Sequence, residues 1–102
     1  MLDARVGTEL EALPLEMKAR VARIVGLIQD HGLERVREPH VKHLEDRLWE
    51  MRMKGKDGIS RAVYVTASGR RVVVVRIFIK KTRKTPKQEL AIALERAREV
   101  KE

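Results

Sequence analysis

The eighteen residues from Arg70 to Lys87, RRVVVVRIFIKKTRKTPK, wrap eight basic side chains and no acidic one around a β-branched run. Consecutive Val and Ile residues lose side-chain freedom in a helix and pack well on a pleated surface, so the run predicts a strand. A strand fixes its flanking cations on a rigid sheet edge, where a tail would leave them adrift. A fixed set of cations is how a protein presents charge to a polyanion such as RNA.

A chain of 102 residues is read as one domain over 1–102, with room for one core and none for a cofactor cleft between domains. The net charge of +8 comes from 23 basic against 15 acidic residues. The excess lies between Lys54 and Lys87, while the first half of the chain is mixed, so the expected partner is acidic. The chain has no cysteine; disulfide staples, thiolate metal sites and a cysteine nucleophile are excluded, and a reducing cytoplasm suits it. Asp3, Arg5 and Glu9 interrupt any signal-peptide core, and no apolar run reaches membrane-spanning length. Trp49, Tyr64 and Phe78 are the only aromatic residues, too few for a platform stacking several bases.

Along the chain, Arg5 to Leu13 is weakly helical, and Pro14 sits where a second helix begins. Met17, Val21, Ile24, Val25 and Ile28 recur at helical spacing, and Gly32 stops the helix. Leu33 to His43 contains Pro39 and mixed charges and reads as an irregular connection. Leu48 to Lys54 alternates, Gly55 to Gly58 is a turn by composition, and Ile59 to Thr66 is the next strand. Ser68-Gly69 reads as a two-residue hairpin loop before the strand from Arg70 to Ile79. Pro86 opens a last helix with Leu90, Ala93, Leu94, Ala97 and Val100 as its apolar stripe. The fold class is α+β: N-terminal helices, a three-stranded antiparallel meander and a C-terminal helix.

These loops set an expected register. A two-residue loop places Arg61 opposite Arg76, Val63 opposite Val74 and Val65 opposite Val72; the four-residue loop places Arg52 opposite Arg61. Three arginines then line one face. Trp49, Met51, Met53, Ala62, Tyr64, Val73, Val75 and Ile77 collect on the other as the core that the helices cover. Like charges directly across a sheet are destabilising, so such a row calls for an anion, and Arg grips phosphate through a bidentate fork.

Four strings, PHVKHL at Pro39 to Leu44, LWEMR at Leu48 to Arg52, SRAVY at Ser60 to Tyr64 and FIKKTRKTP at Phe78 to Pro86, occur in an order that resembles the phage-derived, HigB-like branch of the RelE toxin superfamily. The resemblance runs from about Leu13 to the C-terminus. It implies a RelE-like fold, with three strands or four. It also implies a toxin of a type II toxin–antitoxin module that cleaves mRNA in the ribosomal A site and is silenced by a helix-turn-helix antitoxin. Carried over by position, the family's basic residue on the LWEMR strand falls on Arg52, its next-strand arginine on Arg61, and its basic cluster on Lys80 and Lys81. Two features depart from the pattern. Family members commonly begin with a strand before the first helix, and many place a tyrosine or histidine where this chain has Thr85 and Pro86.

Cleavage of RNA by its own 2′-hydroxyl needs a proton acceptor, stabilisation of charge at phosphorus and a proton for the leaving 5′-oxygen, and it requires neither metal nor cofactor. Arg52, Arg61 and Arg76 suit the charge role. Lys80 and Lys81 suit proton transfer, because crowded cations lower a lysine pKa. Glu50 is either an alternative base or a carboxylate that offsets the neighbouring arginines. Arg76, Lys54, Arg83, Lys84, Lys42 and His43 are the candidates for RNA contact. His40 and His43 lack further ligands for a metal and sit in the expected connector, His31 suits a helix C-terminus, and Trp49 is assigned to the core. The competing reading is a non-catalytic protein on the same fold, either a topoisomerase poison or an inert phage remnant that binds RNA or a partner.

Overall fold

In the computed structural model the described residues are 5–32, 40–55, 58–67, 71–80 and 86–100. Their elements run α1 (Val6–Glu11), α2 (Leu15–His31), β1 (His40–His43), β2 (Trp49–Gly55), β3 (Gly58–Ala67), β4 (Arg71–Lys80) and α3 (Lys87–Ala97). The four strands pair antiparallel in chain order. This is the α+β arrangement of a RelE-like fold, with N-terminal helices, a four-stranded sheet and a C-terminal helix.

The helices form where the apolar spacing places them. Pro14 caps α2, whose buried stripe is Met17, Val21, Ile24, Val25 and Ile28. Gly32 ends the helix at φ 85, donating its N–H to the Ile28 carbonyl at 2.8 Å, a conformation that costs glycine little. Pro86 caps α3 in the same manner, and Ala93 and Ala97 are its buried positions.

Both faces of the sheet are covered. On one, α1 and α2 pack over Met51, Met53, Ala62, Tyr64, Val72, Val74 and Ile77. On the other, α3 packs over Leu48, Val63, Val65, Val73, Val75 and Phe78. Each fully buried aliphatic side chain contributes about 1.5–3 kcal/mol, so the valine run is stabilised from two sides. Val73 and Val75 therefore lie on the α3 face and not, as the alternation suggested, on the face of Met51 and Met53.

Two register steps cause that difference: pairing starts one residue later than expected, with Ala67 opposite Arg71 and not Arg70, and a β-bulge then shifts it once more. Ala67 pairs with Arg71 and Val65 with Val73, but Val63 pairs with Arg76 while Tyr64 pairs with Val74, which leaves Val75 as the extra residue. The bulge is held from both sides of the sheet. The Val75 carbonyl accepts from Arg96 Nη1 at 2.8 Å, and the Ile77 N–H donates to Glu9 Oε1 at 3.1 Å. The two steps together set Arg61 opposite Phe78 instead of Arg76, and the expected row of three arginines is broken between β3 and β4. The first step alone displaces the expected pair Val65 with Val72, and both steps displace Val63 with Val74. The Ser68-Gly69 loop lies outside the described residues.

Two further expectations are corrected. His40 to His43 is a strand, not part of an irregular connection; Leu33 to Pro39 lie outside the described residues. Trp49 is 38% exposed, because it pairs with edge residue His43 at the rim of the sheet, beyond the cover of the helices.

Candidate functional site

Arg52 and Arg61 are Cα partners on β2 and β3, the pairing that the four-residue loop dictated. Glu50, two residues before Arg52 and thus on the same face, resolves the repulsion between them. Its Oε1 accepts from Arg61 Nη1 at 2.7 Å and from Arg52 Nε at 3.0 Å. Glu50 and Arg61 are buried, at 0% and 2% exposure, whereas the Arg52 side chain keeps 25%. This is the arrangement of a carboxylate that offsets neighbouring arginines. It anchors Arg52 from behind and leaves its outer edge toward solvent.

Arg52 is also among the residues around a cleft of about 390 Å³ at the end of β2. Arg20 of α2, His40 of β1 and Arg52 and Lys54 of β2 supply its polar lining; Ile24, Met53 and Ile59 supply the apolar part. Strand pairing brings His40 there, since it is the Cα partner of Arg52. With three cations and an imidazole around one concavity, and no carboxylate among its described lining residues, the place suits an anion with an apolar portion.

The profile of the phage derived protein Gp49-like family (DUF891) matches residues 8–98. The chain belongs to this family. The family is linked to RelE- and HigB-like toxins, and membership fits a toxin-like protein. No curated protein matches the chain.

The remaining candidates of this Gp49-like chain are scattered. Arg76 is engaged elsewhere: it donates through Nε to Glu89 Oε1 at 2.5 Å and through Nη1 to Glu9. Glu9 also accepts from Arg96 Nη1 at 2.7 Å. The Glu89 hydrogen bond is the main influence raising the Arg76 pKa above its ordinary value; Glu9 adds to it and burial opposes it. Arg76 thus ties α1 and α3 to the bulge, and does not extend the Arg52–Arg61 pair.

Lys54 is exposed at the cleft. Lys42 is exposed on β1 opposite Glu50. His43 is turned the other way: its Nε2 lies 2.9 Å from the Asp46 carbonyl, and its ring sits 4.8 Å from that of Trp49. Lys80 pairs through its backbone with Ile59, while Lys81, Arg83 and Lys84 lie outside the described residues. The cleft residues that sequence reasoning missed are Arg20 and His40. Arg20 gave no signal, being one of several basic residues off the apolar stripe of its helix. His40 was legible only through the β1–β2 pairing.

Proposed function

We propose that this Gp49-like protein is the toxin of a type II toxin–antitoxin system, acting in the cytoplasm as a ribosome-dependent mRNA endoribonuclease held silent by a helix-turn-helix antitoxin. The observation that carries the reading is Arg52: held by Glu50, paired across the sheet with Arg61, and still 25% exposed at the rim of a basic cleft. In the reaction the 2′-oxygen of one nucleotide attacks the adjacent phosphorus and the bond to the 5′-oxygen breaks, giving a cyclic phosphate and a 5′-hydroxyl. One proton leaves the 2′-hydroxyl and one reaches the 5′-oxygen. A guanidinium already oriented toward the phosphorus stabilises the added charge without reorganising, which is the effective form of electrostatic catalysis. Lys80 and Lys81, from the family's basic cluster, are the proposed proton carriers.

The test is primer extension on a reporter mRNA in a cell-free translation system, with ribosome-free RNA alongside. Cuts that need translation and fall by about 10²- to 10³-fold in Arg52→Ala support the reading, since one charge-stabilising donor is worth that much. Arg52→Ala serves better than Arg61→Ala, whose burial confounds chemistry with folding. An intact message under working translation favours the non-catalytic protein instead.

A further inference from the structure

We propose that the outer edge of β1 accepts an extended segment of a partner protein as a further strand, and that this segment alternates acidic with bulky apolar residues. The fold alone supports this, whatever becomes of the nuclease. Among the described strands β1 lies at one edge of the sheet, and an edge offers a row of N–H and C=O groups to an incoming strand. The ladder fixes which groups those are. Leu44 donates its N–H to the Leu48 carbonyl at 3.0 Å, and facing residues of an antiparallel pair alternate between exchanging backbone bonds and not. Counting back from that bond, Lys42 opposite Glu50 and His40 opposite Arg52 commit their backbone groups to β2. Val41 and His43 turn theirs outward.

The two faces of this edge differ in chemistry. Val41 and His43 share a face with Met51 and Trp49, while His40 and Lys42, both exposed, stand on the other. On the first face Val41, Trp49, Tyr64 and Thr66 line an open groove of about 290 Å³. Trp49 is 38% exposed, and the His43 ring lies 4.8 Å from its indole, which extends the groove toward the edge. A strand added beside Val41 and His43 lays a large apolar side chain along that groove. Its neighbours in sequence fall beside Lys42 and His40, where a carboxylate is the complementary group. Alternation of acidic and apolar residues satisfies both faces at once. A second copy of this chain does not: pairing β1 with itself about a two-fold axis sets Lys42 opposite Lys42 or His40, with no acid on either side.

The test titrates the full chain with a heptapeptide that alternates Glu with Leu, and with a peptide of the same composition whose acids are grouped together. Trp49 is the only tryptophan, so its emission reports the groove directly. With the alternating peptide that emission is expected to shift to the blue while amide exchange slows at Val41 and His43. Val41→Pro removes a donor that points away from β2, a substitution an edge strand tolerates, and is expected to abolish binding. Lys42→Glu, on the other face, should weaken binding about fivefold through a like-charge pair, and decides the matter where Val41→Pro does not fold. The proposal is overturned if emission and both amides stay unchanged, if the grouped peptide binds as well as the alternating one, or if either variant folds and binds with parental affinity. Slowed exchange at the same amides on dimerisation, with no peptide present, would overturn it in favour of a second copy.

Discussion

Two guanidinium groups converge on one oxygen of a carboxylate with no exposed surface, and the cost of isolating any of these charges decides what a mutation here reports. Removing one partner of a buried pair costs about 3–5 kcal/mol, because the other charge stays behind in a poor solvent. Glu50→Gln and Arg61→Ala are therefore each expected to lose about 3 kcal/mol in urea unfolding, with Arg52 softening the second. Replacing a buried pair by apolar side chains of similar size is often nearly neutral. Glu50→Leu with Arg61→Met should stay within about 2 kcal/mol of the parent while abolishing cleavage, since nothing then orients Arg52. A double variant no more stable than the single ones would show that packing, not charge, holds this spot. Tyr64 supplies a second residue-scale prediction. Burial pushes the pKa of its hydroxyl up to about 12 from the ordinary 10.0, so the unfolded chain ionises first as pH rises. Its contribution is whole below pH 10.0 and is lost between there and about pH 12, roughly 2–3 kcal/mol in all. Tyr64→Phe should flatten that alkaline slope in pH-resolved unfolding; an unchanged slope would mean that the hydroxyl is solvated.

The last helix is gripped at both ends by arginines from other elements. Arg76 holds Glu89 in its first turn. Arg47 donates through Nη1 to the carbonyls of Ala97 at 3.2 Å and Val100 at 2.9 Å, and through Nη2 to that of Thr66 at 3.3 Å. A cation at a helix C-terminus meets the negative end of the dipole and its unsatisfied carbonyls together. Arg47→Ala is expected to cost about 1–2 kcal/mol and to speed amide exchange through the last turn of α3 while β3 stays protected. Uniform acceleration would instead mark α3 as cooperative with the sheet. None of these grips was legible in the sequence, because each joins residues far apart in the chain. The helix bounds were legible, since Pro14, Gly32 and Pro86 punctuate an apolar period that local physics reads alone. So was the Arg52–Arg61 pair, set by a loop whose ends are marked by glycines. The β3–β4 register was not: four consecutive valines carry no alternation to fix which one faces which side, and a sheet buried on both faces accepts either. The bulge at Val75 needed Glu9 and Arg96 to declare it. His40 to His43 escaped because four residues of mixed polarity on an edge strand carry too little period to separate from a loop.

Across the whole molecule, three acids are committed to arginines held in or against the core. Glu9, Glu50 and Glu89 largely compensate Arg52, Arg61, Arg76 and Arg96 in buried or half-buried pairs, so most of the net +8 is carried by other cations. This division separates two residues that the bare sequence grouped together. A cation available to RNA releases counterions when it meets a phosphate, which makes log affinity fall with log salt by about 0.7 per contact on a single strand. One already satisfied by two carboxylates has little left to offer. Lys54, exposed at the cleft, should therefore contribute a full contact, and Arg76 none. Anisotropy titrations of a labelled single-stranded RNA over a salt series check this: Lys54→Gln is expected to make the slope shallower by about 0.7, and Arg76→Gln to leave it unchanged even where it loosens α1 and α3. If Arg76→Gln flattened the slope as much as Lys54→Gln, the Glu9–Arg76–Glu89 network would have to open on binding, and RNA would reach across the bulge onto the α3 face.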